Sequence, residues 1–194
     1  MRPLFSIIVP TYNSEKNISE CLSSVLVQNF SIREYEIIVV DDCSIDNTLE
    51  VCRKFQKKYS HIKILNNKKN KGVSFSRNVA INNASGIYAI FLDSDDSLIK
   101  NSLNKIKMLL GKKNINLLLS LNLKNEKKTS VDRFIEKNNA LETTDKKLIF
   151  KILNSNFSYK AHCWNYILSI DFIKKNNIFF RNFRVYEDQV FTLQ

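Results

Sequence analysis

Short apolar runs alternate with segments of helical periodicity along the first hundred residues, and this alternation constrains the fold more than any other feature. The candidate strands cover residues 5–9, 36–40, 62–65 and 88–92. Each is typical of a buried strand rather than of one with a solvent face. The pattern therefore predicts an α/β fold with a mostly parallel central sheet flanked by helices on both faces.

Helices are predicted between these runs. The first carries apolar residues at i, i+3, i+4, i+7 and i+8, namely Ile18, Cys21, Leu22, Val25 and Leu26. Ser14 is its predicted N-cap. A second helix is expected to begin near Asp46 or Asn47, and a third to cover residues 74–84. Beyond residue 96 we predict a helix at 103–110, a strand at 116–121 and a helix at 145–153.

Composition excludes several classes of protein. The chain has 194 residues, 44% of them hydrophobic and 11% aromatic, which suits one globular domain rather than a disordered segment. Its apolar runs are far shorter than the about 20 residues that a membrane-spanning helix needs. Its four cysteines form no C-x-x-C pair, which favours reduced thiols over disulfides or a zinc site.

The net charge of +11 and the pI near 9.5 favour an anionic partner. The basic residues are interpreted as scattered pairs, such as Lys57–Lys58 and Lys68–Lys69, rather than one tract. A solvated surface is one interpretation of these pairs. Contact with anionic lipid headgroups is the other.

Acidic side chains follow two predicted strands, at the sheet edge where ligands bind in open α/β folds. Asp41 and Asp42 follow the second strand, and the fourth is followed by Asp93, Ser94, Asp95 and Asp96. Acids this close repel each other unless a cation or hydrogen-bond donors compensate. Bound Mn²⁺ or Mg²⁺ is one explanation, and an Asp-rich turn that caps the following helix is the other.

Together these motifs resemble the family 2 glycosyltransferases of GT-A fold, which transfer a sugar from a nucleotide donor with inversion. The matching segments are residues 5–13 (FSIIVPTYN), 36–48 (EIIVVDDCSIDNT), 70–78 (NKGVSFSRN), 86–96 (GIYAIFLDSDD) and the pair Glu187–Asp188. Their order and spacing extend along most of the chain. Cys43 is a departure, because the family usually has glycine after the paired acids.

The resemblance implies a nucleotide-sugar site formed by Pro10, Thr11, Tyr12, Asp42, Arg77, Asp93 and Ser94. Tyr12 would stack on the base, and Asp42 would accept hydrogen bonds from uracil or, alternatively, cap its own turn. Arg77 would approach the base, ribose or diphosphate, or else pair with Asp42 or Asp93 as part of the scaffold. Asp93 and Asp95 would hold Mn²⁺ or Mg²⁺ on the diphosphate.

The resemblance also assigns the last acidic pair. Asp188 would be the base that deprotonates the acceptor hydroxyl, although a pair capping a final helix is the alternative. Glu187 and Trp164 would lie on the acceptor side, unless Trp164 is simply part of the core. Asp46 is interpreted as the cap of the second helix and stays outside the site.

We therefore expect an inverting transferase that moves a sugar from a UDP-sugar to a hydroxyl of a glycan or lipid-linked acceptor in cell-surface polysaccharide synthesis. A truncated donor-binding remnant and a basic nucleic-acid-binding module are the alternatives. We expect one domain, with residues 1–98 binding the nucleotide sugar and 99–194 forming an acceptor-side half that is truncated at its C-terminus. The expected location is cytoplasmic, with peripheral contact to the inner membrane face and no nucleic-acid partner.

Overall fold

The structure is a computed structural model that describes residues 2–111, 115–120, 140–144, 166–180 and 191–192. Within these ranges the elements follow in chain order: β1 Phe5–Thr11, α1 Ile18–Leu26, β2 Tyr35–Asp41, α2 Thr48–Lys58, β3 Ile62–Asn66, α3 Val73–Asn83, β4 Tyr88–Phe91, α4 Ser102–Leu110, β5 Leu117–Ser120, β6 Ala140–Thr143, β7 Tyr166–Ser169, α5 Ile170–Lys175, β8 Phe179–Phe180 and β9 Phe191–Thr192. The four strands and the helices predicted up to residue 121 are confirmed to within a few residues.

A seven-stranded sheet in the order β3-β2-β1-β4-β7-β5-β6 forms the centre of the molecule. Strands β3, β2, β1 and β4 are parallel, with Ile7 of β1 opposite Ile37 on one side and Ile90 on the other. Strands β7, β5 and β6 pair in antiparallel fashion beside β4. The predicted parallel sheet is therefore confirmed, and an antiparallel half extends it.

Alternate residues of the central strands fill two hydrophobic cores, one on each face of the sheet. Ile7 and Val9 of β1 point towards α1, α2 and α4, whereas Ile8 packs against α3 and α5. Successive side chains of a strand point to opposite faces, so a strand covered on both faces is apolar throughout. This packing explains why these runs lack a polar alternation.

One of the two predicted helix starts differs in the structure. Helix α1 begins at Ile18 with Asn17 at the N-cap position, and the Ser14 hydroxyl contacts Tyr12 and Ser94 instead of capping the helix. The N-cap prediction for Ser14 is therefore wrong, because its hydroxyl has partners outside the helix. Near α2, Asp46 accepts hydrogen bonds from the Thr48 amide and hydroxyl groups, so it supports the start of that helix as predicted.

At the edge of the sheet opposite the carboxyl ends of the parallel strands, the half-buried carboxylate of Glu36 connects β1, β2 and the segment before β4. Glu36 accepts hydrogen bonds from the hydroxyl groups of Ser6 and Ser85 and from the amides of Ser85 and Gly86. A Cβ atom at Gly86 would lie 2.5 Å from Ser6 Oγ, so a side chain there would separate β4 from β1.

The predicted helix at 145–153 lies outside the described residues. No described helix has the length and apolarity to cross a membrane.

Candidate functional site

An open cleft of about 250 Å³ lies at the carboxyl ends of β1, β2 and β4, beside the first turn of α3. Its lining comprises Pro10, Thr11, Tyr12, Asp42, Val73, Ser76, Arg77, Asp93, Ser94 and Asp95. The structure thus brings together every predicted nucleotide-sugar and metal residue. Val73 and Ser76 were not predicted, although both lie within the segment NKGVSFSRN that carried part of the resemblance.

Asp42 organises one wall of the cleft. Its buried carboxylate accepts hydrogen bonds from Asn67 Nδ2 at 2.6 Å, from the Lys71 amide at 3.1 Å and from the Gly72 amide at 2.7 Å. Asn67 also donates to the Ser76 hydroxyl at 3.0 Å. These contacts fix the loop of residues 67–72, so Asp42 both faces the cleft and supports its wall.

Arg77 is the largest buried side chain of the site, with 2% of its surface exposed. Its Nη2 atom lies 2.9 Å from Asp93 Oδ1, and its guanidinium lies 5.3 Å from the centre of the Phe180 ring. A buried arginine stays charged, so it offsets the charge of Asp93 and fixes that carboxylate. The scaffold role considered for Arg77 is present in the structure, and the residue still lines the cleft.

Two hydrogen bonds link Ser94 to Tyr12 through the Ser14 hydroxyl. The Ser14 hydroxyl donates to the Tyr12 carbonyl at 3.1 Å, and its oxygen lies 2.8 Å from Ser94 Oγ. Because a carbonyl can only accept, the single proton of Ser14 is committed to Tyr12. Ser94 is therefore the donor to Ser14, and its lone pairs remain for a hydroxyl donor or a cation.

The turn of residues 93–96 does not cap a helix. Helix α4 begins only at Ser102, after Asn101 in a left-handed conformation, so the capping explanation of the acidic motif is wrong. Cys21 donates to the Asp93 carbonyl at 3.5 Å. Burial, with the nearby carboxylates of Asp96, Asp93 and Asp95, raises the pKa of the Cys21 thiol, so it remains a neutral donor.

The first acidic pair needs no cation. Asp41 accepts hydrogen bonds from the Ser44 amide and hydroxyl groups, and Asp42 is satisfied by the 67–72 loop. Repulsion between these two acids is therefore compensated by protein donors, and that part of the sequence argument for a metal is wrong. Cys43, which follows them, has a positive φ of 67°.

The second acidic motif differs, because Asp95 presents an exposed carboxylate to the cleft beside Asp93. Among the described residues, no cluster of three histidine, cysteine or acidic side chains could bind a metal alone. Mg²⁺ and Mn²⁺ are commonly held by one or two carboxylates, with water and substrate phosphates completing the shell. The donor set of Asp93 and Asp95 fits such an ion when a diphosphate is also bound.

Thr11 and Tyr12, at and just after the end of β1, also line the cleft. Thr11 is buried, and its hydroxyl oxygen has no hydrogen-bond partner within the described part of the chain. The Tyr12 side chain is 45% exposed at the cleft mouth, which leaves a ring face accessible for stacking. Trp164, Glu187 and Asp188 lie outside the described residues, so their assignments remain predictions.

Comparison with known proteins decides the family. The model of the family described as "Glycosyl transferase family 2" matches residues 6–173. The chain belongs to glycosyl transferase family 2. Two bacterial relatives in this comparison are the poly(ribitol-phosphate) beta-N-acetylglucosaminyltransferase TarS of Staphylococcus aureus, 35% identical over 98% of this chain and 32% of the relative, and the poly(ribitol-phosphate) beta-glucosyltransferase of Bacillus spizizenii, 34% identical over 97% and 28%.

The solved structures agree with this family and with the GT-A fold. S. aureus TarS 1-349 in complex with UDP-GlcNAc aligns with a TM-score of 0.72 and 31% identity, covering 97% of this chain and 51% of the other. The chain spans about a third of the length of the two curated relatives. The expected fold is thus confirmed for this family 2 chain.

Proposed function

We propose that this chain is the donor-binding part of an inverting glycosyltransferase that uses a UDP-sugar. The observation that carries the proposal is that every described residue predicted to bind the nucleotide sugar lines one cleft at the carboxyl edge of the sheet. The two relatives are named as sugar transferases, and one solved relative was crystallised with UDP-GlcNAc. Residues 1–98 would bind the donor, and residues 99–194 would form the acceptor side.

The described side chains have distinct roles in this proposal. Tyr12 would stack on the uracil ring, and the Thr11 hydroxyl would form a hydrogen bond with the nucleotide. Asp93, held by Arg77, and the exposed Asp95 would bind Mn²⁺ or Mg²⁺ together with the diphosphate oxygens. An ion held there would supply positive charge to stabilise the nucleoside diphosphate as it departs. Ser94 would accept a hydrogen bond from a ligand hydroxyl, or coordinate the cation.

Asp188 would supply the base for inversion. It would remove the proton of an acceptor hydroxyl while that oxygen attacks the anomeric carbon and the bond to the diphosphate breaks. Glu187 and Trp164 would line the acceptor side. The acceptor would be a glycan or lipid-linked molecule of the cell surface, and the enzyme would act in the cytoplasm, in peripheral contact with the membrane.

Thermal unfolding with UDP tests the donor and metal assignments. With Mn²⁺ present, UDP at about one hundred times its Kd should add about 2.7 kcal/mol to stability and raise the Tm. Asp95→Asn should lose most of the Mn²⁺-dependent part of this shift. Glu20→Gln is the matched control, because Glu20 is exposed on α1 and away from the cleft lining.

An equal UDP-induced shift in Asp95→Asn and after chelation of Mn²⁺ would contradict the metal assignment. Turnover is tested separately by UDP release from UDP-sugars. Asp188→Asn should abolish this release while UDP binding is retained. A wild-type chain that binds UDP-sugars but never releases UDP with any acceptor would instead favour the donor-binding remnant.

A further inference from the structure

The acidic turn belongs to an irregular segment of the chain. Strand β4 ends at Phe91 and helix α4 begins at Ser102, so residues 92–101 belong to neither a helix nor a strand. The exposed carboxylate of Asp95 lies within this segment. Because no regular series of backbone hydrogen bonds fixes such a segment, its conformation depends on contacts with neighbouring elements. The position of Asp95 in the cleft depends on the same contacts.

Helix α1 and the turn that ends it supply three of these contacts. The side chains, which we call the α1 anchors, are those of Cys21, Ser24 and Gln28. The Cys21 thiol donates to the Asp93 carbonyl at 3.5 Å. The Ser24 hydroxyl, three residues further along the same helix face, donates to the Cys21 carbonyl at 2.6 Å and accepts a hydrogen bond from the Leu98 amide at 2.9 Å. Two points of the irregular segment are thus attached to α1.

Gln28 attaches the end of the segment. Only 1% of its surface is exposed. Its Nε2 group donates to the Ser24 and Ile99 carbonyls, both at 2.9 Å, and its Oε1 atom accepts a hydrogen bond from the Leu103 amide at 3.3 Å. Leu103 lies in the first turn of α4, where the N-cap residue Asn101 makes no side-chain cap bond. Gln28 therefore fixes the end of the irregular segment and caps the helix that follows.

The acidic turn is consequently held on two sides. Arg77 contacts Asp93 Oδ1 at 2.9 Å, in addition to the attachment of the Asp93 carbonyl to α1. Asp95 lies between the attachment points at Asp93 and Leu98. A short piece of chain between two fixed points has few conformations, so its carboxylate is ordered before a ligand binds. This ordering lowers the entropic cost of binding a cation.

We propose that Ser24 and Gln28 are positioning residues for the metal-binding carboxylate of Asp95. Neither side chain lines the cleft, and each acts by holding residues 92–101 in the conformation that presents Asp95 to the ion. This role rests on the proposed function, because it requires a cation between the acidic turn and the diphosphate. Asp42 and Tyr12 follow other strands, so the anchors should not influence the binding of UDP without a metal.

Isothermal titration calorimetry with UDP, in Mn²⁺ and in a chelator, tests this role. The measured quantity, which we call the Mn²⁺ factor, is the ratio by which Mn²⁺ tightens UDP binding. Ser24→Ala should reduce this factor about fivefold. Gln28→Met, which keeps the side-chain length but removes the polar groups, should reduce it about tenfold. UDP affinity in the chelator should change by less than about twofold, and Ser24→Thr, which retains the hydroxyl, should restore most of the factor.

Two controls separate positioning from general stability. Ile62 is buried in β3, which β2 and β1 separate from β4, so Ile62→Val should lower the Tm but leave the Mn²⁺ factor unchanged. In an Asp95→Asn background, Gln28→Met should cause little further loss of UDP affinity in Mn²⁺, because the carboxylate that it positions is already absent. Ser24 is only half-buried, so Ser24→Ala provides a test even where Gln28→Met does not fold.

An unchanged Mn²⁺ factor in Ser24→Ala and Gln28→Met, with a lowered Tm, would overturn the inference, because the anchors would then only stabilise the fold. An equal reduction of the factor in Ile62→Val would overturn it too. So would equal losses from Gln28→Met with and without Asp95→Asn. A wild-type chain whose UDP binding is independent of Mn²⁺ would instead contradict the proposed metal site itself, and the positioning role with it.

Discussion

The turn after β2 contains a residue in an unfavourable conformation. Cys43 has a φ of 67°, a left-handed value at which a Cβ atom approaches the backbone. The turn is nevertheless fixed, since Asp41 accepts hydrogen bonds from both the amide and the hydroxyl of Ser44. The sequence departs from the family at the very position where the backbone favours glycine.

Cys43→Gly should therefore stabilise the protein by about 1 kcal/mol, because glycine adopts this conformation without steric cost. Urea unfolding measures the change in the free energy of unfolding. Cys43→Ala is the control, since it removes the thiol but keeps the Cβ atom, and it should not stabilise the fold. Equal stabilisation by both variants would show that the thiol, rather than the backbone conformation, is responsible.

At the scale of elements, the loops after β1 and β2 hold each other. The Asn13 amide donates to Ser44 Oγ at 2.9 Å, and the Asn13 side-chain oxygen accepts from the Ile45 amide at 3.0 Å. The Ser14 amide donates to Thr48 Oγ1 at 2.7 Å. Ser14 thus connects the loop that bears Tyr12, the start of α2 and, through Ser94, the acidic turn after β4.

Ser14→Ala should weaken UDP binding in Mn²⁺ by about three- to tenfold, because loss of one hydrogen bond costs about 1 kcal/mol and frees Ser94 to rotate. Isothermal titration calorimetry measures this affinity. Ser14→Thr retains a hydroxyl and should restore most of it, and Ser23→Ala, at an exposed position of α1, should have no effect. Additive losses in Ser14→Ala with Ser94→Ala would show that the two residues act independently.

Sequence patterns predicted the elements better than the contacts within the site. The strands of the parallel half were predictable because two-sided burial requires continuous apolar runs such as that from Phe5. The partners of Asp42 were not, since two of them are backbone amides of a loop with no periodicity. Ser14 was predicted to cap the helix that follows it, because a helix cap can be recognised from neighbouring residues. Its contact with Ser94 could not be predicted in this way, because Ser94 lies eighty residues away in the chain.

At the scale of the whole molecule, acid should destabilise the fold through Glu36. Burial alone would raise the pKa of Glu36, but the hydrogen bonds from Ser6, Ser85 and Gly86 outweigh it and hold the pKa below its ordinary value of 4.5. The unfolded chain therefore binds this proton more readily than the folded chain does. The stabilisation is present above about pH 4.5 and is lost as the pH falls through the folded pKa.

Glu36→Gln should cost about 1–3 kcal/mol at pH 7, because it replaces charged acceptor bonds with neutral ones. The difference from wild type should shrink as the pH is lowered towards 3. Urea unfolding at a series of pH values measures both effects, with Glu20→Gln as an exposed control. A difference that stays constant between pH 7 and pH 3 would mean that Glu36 acts through packing alone.

The order of strands in the sheet also limits how the chain can be assembled. The parallel half needs only residues up to Phe91. Among the described strands, β5 and β6 reach this half only through β7, which lies between them and β4. Until residues 166–169 leave the ribosome, β5 and β6 have no strand through which to join the parallel half. A chain made from its N-terminus would therefore complete the walls of the donor cleft first and add the remainder of the sheet at a late step of synthesis.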